Sequence, residues 1–196
     1  MSRGAPSNSF AGSTNRREAV MAVGDAPSLA VPAAGRYRVD PQRSTVTYSG
    51  RHMFGLGAVK ATFTIASSEL LVADPVAAST VVVSVDAGSF RSDKSRRDDQ
   101  VRSASLLDAA TYPNITFTSD GLREQGAGWL LDGALTAHGQ TVPVEVVIDR
   151  ATNEGDGVRV HAYVEHLDRY AFGVTKVKGF AGRYLDLDLD VFAVPA

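Results

Sequence analysis

The sequence predicts an all-β domain of eight or nine antiparallel strands, on three observations. After residue 35, apolar side chains recur at every second position in short runs, the spacing that puts successive side chains on opposite faces of a strand. Turn-forming residues separate these runs at short intervals, which favours hairpin neighbours over helix-crossed parallel strands. Only residues 93–110 interrupt the pattern.

Of the first 35 residues, 20 are Ala, Ser, Gly or Pro, and Phe10 and Leu29 are too isolated to build a packed face. Residues 1–35 are therefore expected to form a disordered leader, and 36–196 the folded domain. Alternation starts with Val46 and Tyr48, after the Asp40-Pro41 turn, and continues with Phe63 and Ile65 beyond Gly55 and Gly57. Val81, Val83 and Val85 follow Asp74-Pro75. Residues 93–110 offer Ser92 or Asp93 as an N-cap and Pro113 as a stop, so a short helix or helical loop is expected there.

Ile115 and Phe117 resume the strands. Leu131, Leu135 and Ala137 continue them around Gly133, where a bulge or bend is expected. The turn His138-Gly139 leads to Val144, Val146 and Ile148, and the Asn153 to Gly157 turn leads to Val158, Val160, Ala162 and Val164. The clearest strand covers 183–192, with Leu185, Leu187, Leu189 and Val191 on one face and Asp186, Asp188 and Asp190 on the other. Such strands build either a sandwich or a closed barrel, and periodicity does not choose between them.

Composition removes several function classes. Twenty Lys and Arg against 22 Asp and Glu leave a net charge of −2, so no broad basic surface for nucleic acid is expected. There are no cysteines, hence no disulfides, thiol nucleophiles or thiolate metal sites. No apolar run is long enough for a transmembrane helix. His52, His138, His161 and His166 lack metal-ligand spacing, and His161 is expected to face outward between Val160 and Ala162. The Asp186 to Asp190 run lacks the Gly and distal Glu of a calcium loop, and no nucleophile elbow is present, so neither a metal nor a catalytic residue is expected.

Two features suit a ligand's polar end. His52 stands at a strand end where it would reach a head group from a barrel rim. In the mixed cluster around Arg91 to Arg102, local ion pairs are the default, while Arg97 or Arg102 would offer a guanidinium fork to phosphate oxygens.

Taken in order, the segments resemble the YceI-like family of polyisoprenoid-binding β-barrel proteins, from about Tyr37 to Val194. YRVDPQRSTVTYSGRHMFG resembles the family's opening strands, and VKATFTI and VVVSVDAGSF resemble the two that follow. RRDDQVRSASLLDAATYPNITFTS resembles its most specific block through Arg97, Asp98, Arg102, Ser103, Tyr112, Pro113, Ile115 and Phe117. GALTAHGQTVPVEVVI and DRYAFG, with Arg169, Phe172 and Gly173, complete the match. Gln100, Val101, Leu106, Leu107 and Ala61 depart from the family pattern.

The resemblance implies an eight-stranded, lipocalin-like antiparallel barrel with a short helix between mid-barrel strands. It also implies non-catalytic binding, storage or transport of a long isoprenoid lipid, polyprenyl or isoprenoid-quinone-like, in the lumen, without a cofactor. The expected lumen residues are Val46, Tyr48, Phe63, Ile65, Ile115, Phe117, Leu135, Val146, Val160, Leu187 and Leu189. His52, Arg97, Arg102 and Phe172 are expected at the mouth. A homodimer and transient membrane contact are compatible with the resemblance. Two alternatives stand beside it: an enzyme of the barrel mouth using His52, Asp98 and Arg97, and a dry barrel acting through protein contacts. Arg16 and Arg17 before the apolar residues 19–23 resemble a twin-arginine export signal only weakly, so a cytoplasmic location is expected.

Overall fold

In the computed structural model, which describes residues 29–52, 57–177 and 181–196, the alternating runs become nine strands. They are β1 (Gly35–Val39), β2 (Thr45–His52), β3 (Gly57–Val72), β4 (Thr80–Ser92), β5 (Asn114–Gln125), β6 (Gly128–Ala137), β7 (Gln140–Glu154), β8 (Gly157–Asp168) and β9 (Ala181–Pro195). Every pairing between these strands is antiparallel, and β3 pairs with β4 as β2 pairs with β9, so the sheet closes into a barrel. Both β1 and β2 lie between β3 and β9, β1 at one end and β2 along the rest. They are one strand position interrupted at Asp40-Pro41, which reconciles nine strands with an eight-stranded barrel.

Closure bends the strands, and bulges supply the bend. The register shifts in β3 beyond Ile65, in β5 beyond Ser119, in β7 beyond Ile148 and in β8 beyond Val164. Each extra residue reverses which parity faces inward. Ile65 and Leu70 thus both line the interior, as do Phe117 and Leu122, and Val164 and Leu167, while in β7 Ile148 lines it and Ala151, beyond the bulge, is buried. The bulge expected at Gly133 lies instead across the ladder, in β5 between Ser119 and Gly121. Gly133 serves close approach: a Cβ there would sit 2.4 Å from the Thr118 carbonyl oxygen and 2.7 Å from the Phe117 ring.

The non-strand segments cap the two ends. The helix α1 (Ser95–Arg102) is shorter than the 93–110 expectation, and its N-cap is Lys94 rather than Ser92 or Asp93. Buried Asp98 reaches back to accept from the Ser92 backbone N–H at 2.9 Å and its hydroxyl at 2.6 Å, tying α1 to β4. At the same end, His138 and Gly139, with φ of 48° and 72°, make the tight β6–β7 hairpin, and His138 Nδ1 lies 3.2 Å from the Phe172 carbonyl oxygen.

At the opposite end, residues 29–35 belong to the barrel rather than to a free leader. Leu29 bridges Ala151, Ala30 N–H donates to the Ala151 carbonyl at 2.8 Å, and the Tyr37 hydroxyl donates to the Ala33 carbonyl. Residues 1–28, including the Arg16-Arg17 pair, lie outside the described residues. No helix among the described residues is long and apolar enough to cross a membrane.

The outer wall carries the expected wet face as cross-strand ion pairs. Arg159 bridges Glu154 and Asp190, and His161 stands between Asp149 and Asp188, joining β7, β8 and β9. Asp149 reaches His161 because it occupies the β7 bulge. Its hydrogen bond, followed by that of Asp188, raises the His161 pKa above 6.5 despite partial burial. A raised folded pKa gives stability that is full below the unfolded value and lost as pH rises through the folded one. The wild-type advantage in Tm over His161→Ala is therefore expected to be greatest near pH 6 and to shrink at more alkaline pH. A Tm difference that grows between pH 6 and 9 would contradict this pairing.

Candidate functional site

The inward faces enclose a cavity of about 420 Å³. That volume lies in the range of small-molecule sites, and its wall is almost wholly aliphatic and aromatic. Three packed groups shape it. Leu131, Val146, Ala162 and Val164 form one wall; Val39, Val46 and Ile65 form another; Ala137, Phe172 and Val174 close the α1 end, with Leu106 packed against them. Between the walls, Phe90 meets Phe63 and Tyr48 edge-on, with ring centroids 5.3 and 5.8 Å apart.

All eleven residues expected in the lumen line this cavity, and Phe172, expected at the mouth, lines its α1 end at 3% exposure. Arg97 and Arg102 do not line it. Arg97 donates to Asp93 at 2.7 Å and to the Ser92 hydroxyl, and Arg102 donates to Asp99 at 2.7 Å and to the Gly88 carbonyl. Helical spacing supplies each with its own carboxylate, so the default reading of local ion pairs describes them. The backbone of His52 ends β2 opposite Gly57 and Ala181, but its side chain lies outside what is described.

Arg169, which the sequence marks only as part of the DRYAFG match and not as a site residue, is the charged group of the cavity. It is buried, it is the only charged residue among the described residues lining the cavity, and no described carboxylate pairs with it. Its guanidinium donates to four backbone carbonyls: Nε to Gly182 at 2.7 Å, Nη1 to Val174 and to Lys176 at 3.0 Å, and Nη2 to Ala181 at 3.1 Å. One side chain thus gathers the β8–β9 connection over the end of the barrel. The neighbouring Asp168 is held by Arg183 instead, which keeps its carboxyl below the usual range.

Tyr48 supplies the second polar atom at this end. Its ring lies along β2 over Gly50, where a Cβ would come 2.4 Å from the phenol oxygen. Burial raises its pKa, and the charges of Arg169 and Arg97 act in the opposite sense. Phe90 and Arg169 were missed for different reasons. Phe90 sits beyond irregular β4 register, out of phase with Val81, Val83 and Val85. Arg169 announces itself only through its place beside Phe172 and Gly173.

Comparison with known proteins places this barrel. The family model described as the YceI-like domain matches residues 37–193. The chain belongs to the YceI-like family. A UPF0312 protein of Vibrio cholerae is 33% identical over 190 residues, covering 91% of this chain and 98% of that protein. Among solved structures, Burkholderia cenocepacia BcnA aligns with a TM-score of 0.69 at 21% identity, covering 79% of this chain and 98% of that one. A polyisoprenoid binding domain from Saccharophagus degradans, implicated in plant cell wall breakdown, aligns with a TM-score of 0.60 at 13% identity, covering 82% and 98%. At these identities the two structures attest the YceI-like fold, an eight-stranded antiparallel barrel with one short helix.

Proposed function

We propose that this YceI-like barrel binds a long-chain isoprenoid lipid, polyprenyl or isoprenoid-quinone-like, in its lumen and stores or carries it without chemical change. The observation that carries the reading is the apolar cavity inside the barrel, whose only charged lining residue among those described is already bound by backbone carbonyls. Apolar burial supplies affinity there: at about 0.8 kcal/mol per CH₂-sized group, each five-carbon unit contributes roughly 3–4 kcal/mol before the entropy of binding. The structural likeness to the polyisoprenoid binding domain from Saccharophagus degradans supports the same ligand class.

A smooth aliphatic wall discriminates weakly between similar chains, so selectivity resides in cavity shape and in the capped ends. Protein purified without detergent is expected to carry a stoichiometric isoprenoid, seen by native mass spectrometry and named by organic extraction. An empty extract, together with no uptake of added polyprenyl lipid, would overturn the carrier reading in favour of a barrel acting through protein contacts.

A further inference from the structure

Resting on the carrier reading, we propose that the lumen is polarised: it takes an amphiphile with an anionic oxygen head group, seated at the α1 end beside Tyr48 and Arg169, and its tail toward β1. The two ends of the cavity differ in kind. At the β1 end the polar lining side chains are neutral: Thr80, Tyr37, whose hydroxyl donates to Ala33, and Ser79, whose hydroxyl accepts from the Ala73 N–H at 3.0 Å. At the α1 end stands Arg169, a buried cation that makes no ion pair with a described carboxylate; Asp168, which feels its charge, is bonded to Arg183.

Four of the five guanidinium N–H groups of Arg169 go to carbonyls, which satisfies their hydrogen bonds and leaves the net positive charge in place. Within a low-dielectric wall, that charge favours an anion over a neutral group of the same shape. Tyr48 adds the directed contact. Its hydroxyl has no hydrogen-bond partner among the described residues although the ring lines the cavity, and burial raises its pKa, against the opposing charges of Arg169 and Arg97, so the phenol stands there as a neutral donor. Gly50 holds that position open, because any Cβ would collide with the phenol oxygen.

Phosphate monoesters and carboxylates share the required chemistry of anionic acceptor oxygens, so both are tested. The probes are geranylgeranyl monophosphate, geranylgeraniol with the same tail, and palmitate, each titrated into delipidated full-length protein and into Tyr48→Phe. The wild type is expected to bind the phosphate, palmitate or both about tenfold more tightly than the alcohol, and the variant to lose most of that ratio. Preference for the phosphate alone names a prenyl phosphate, and preference for palmitate alone names a fatty acid. Equal binding of alcohol and anions by the wild type overturns the polarity and leaves the carrier reading standing. An anion preference unchanged in Tyr48→Phe overturns the Tyr48 seat. Binding of none of the three overturns both readings. Tm measured on both proteins shows that the ratio compares folded molecules.

Discussion

Arg169→Ala is expected to lower folding stability by about 3–5 kcal/mol, because four backbone carbonyls lose their donor at once. The substitution removes the donors from four carbonyls, those of Val174, Lys176, Ala181 and Gly182. A buried acceptor left without a partner costs about 1–3 kcal/mol, and water entering the collapsed loop recovers part of the total. Arg169→Lys separates charge from geometry. An ammonium keeps the charge but lacks the planar fork that reaches all four carbonyls, so about half the loss is expected to remain. Urea denaturation followed by the single Trp129 reads both variants. A loss below about 1 kcal/mol for Arg169→Ala would mean that the β8–β9 connection is held by its apolar contacts alone.

Val160→Trp is expected to abolish lipid uptake while leaving the barrel folded. Val160 pairs with Ala151 and Val191, faces the cavity, and is only half-buried, so a larger side chain there has open space to enter. Its cost to stability is therefore expected to stay within the ordinary overpacking range of about 1–3 kcal/mol. Displacing a single isoprene unit removes roughly 3–4 kcal/mol of transfer free energy, which is at least a hundredfold in affinity. Uptake of geranylgeraniol measured beside Tm separates the two effects. Wild-type uptake by a folded Val160→Trp would place the ligand outside the lumen.

Much of the lumen was legible because strand alternation is a local property. Val46, Tyr48, Leu187 and Leu189 declare their face through their immediate neighbours, and β2 pairs with β9 so that Val46 meets Leu189 and Tyr48 meets Leu187. His161 and the Asp186 to Asp190 run were legible as an outer face for the same reason. Legibility failed wherever an inserted residue reversed the phase. Leu70, Leu122 and Leu167 lie inward only because bulges precede them, and no run of neighbouring residues reports a bulge.

The cations show a different limit. Arg97 and Arg102 drew attention through the density of charge around them, yet that density is what pairs them with Asp93 and Asp99. Arg169 matters because its partners are backbone carbonyls brought together by a folded connection, and carbonyls carry no mark in a sequence. Residues 29–35 escaped similarly. Their composition is that of a tail, while Leu29 finds Ala151 more than a hundred positions away.

By itself the sequence determined an antiparallel β domain with one apolar and one polar face, since period-two spacing and frequent turns leave few other ways to bury 44% hydrophobic content. Its motifs also determined the family resemblance. Only the tertiary structure decided closure of β3 on β4 and β2 on β9, the phase of each strand beyond its bulge, the shared position of β1 and β2, and the capture of Arg169 at one end of the lumen. These depend on register between segments distant in the chain, where a shift of one residue exchanges inside for outside.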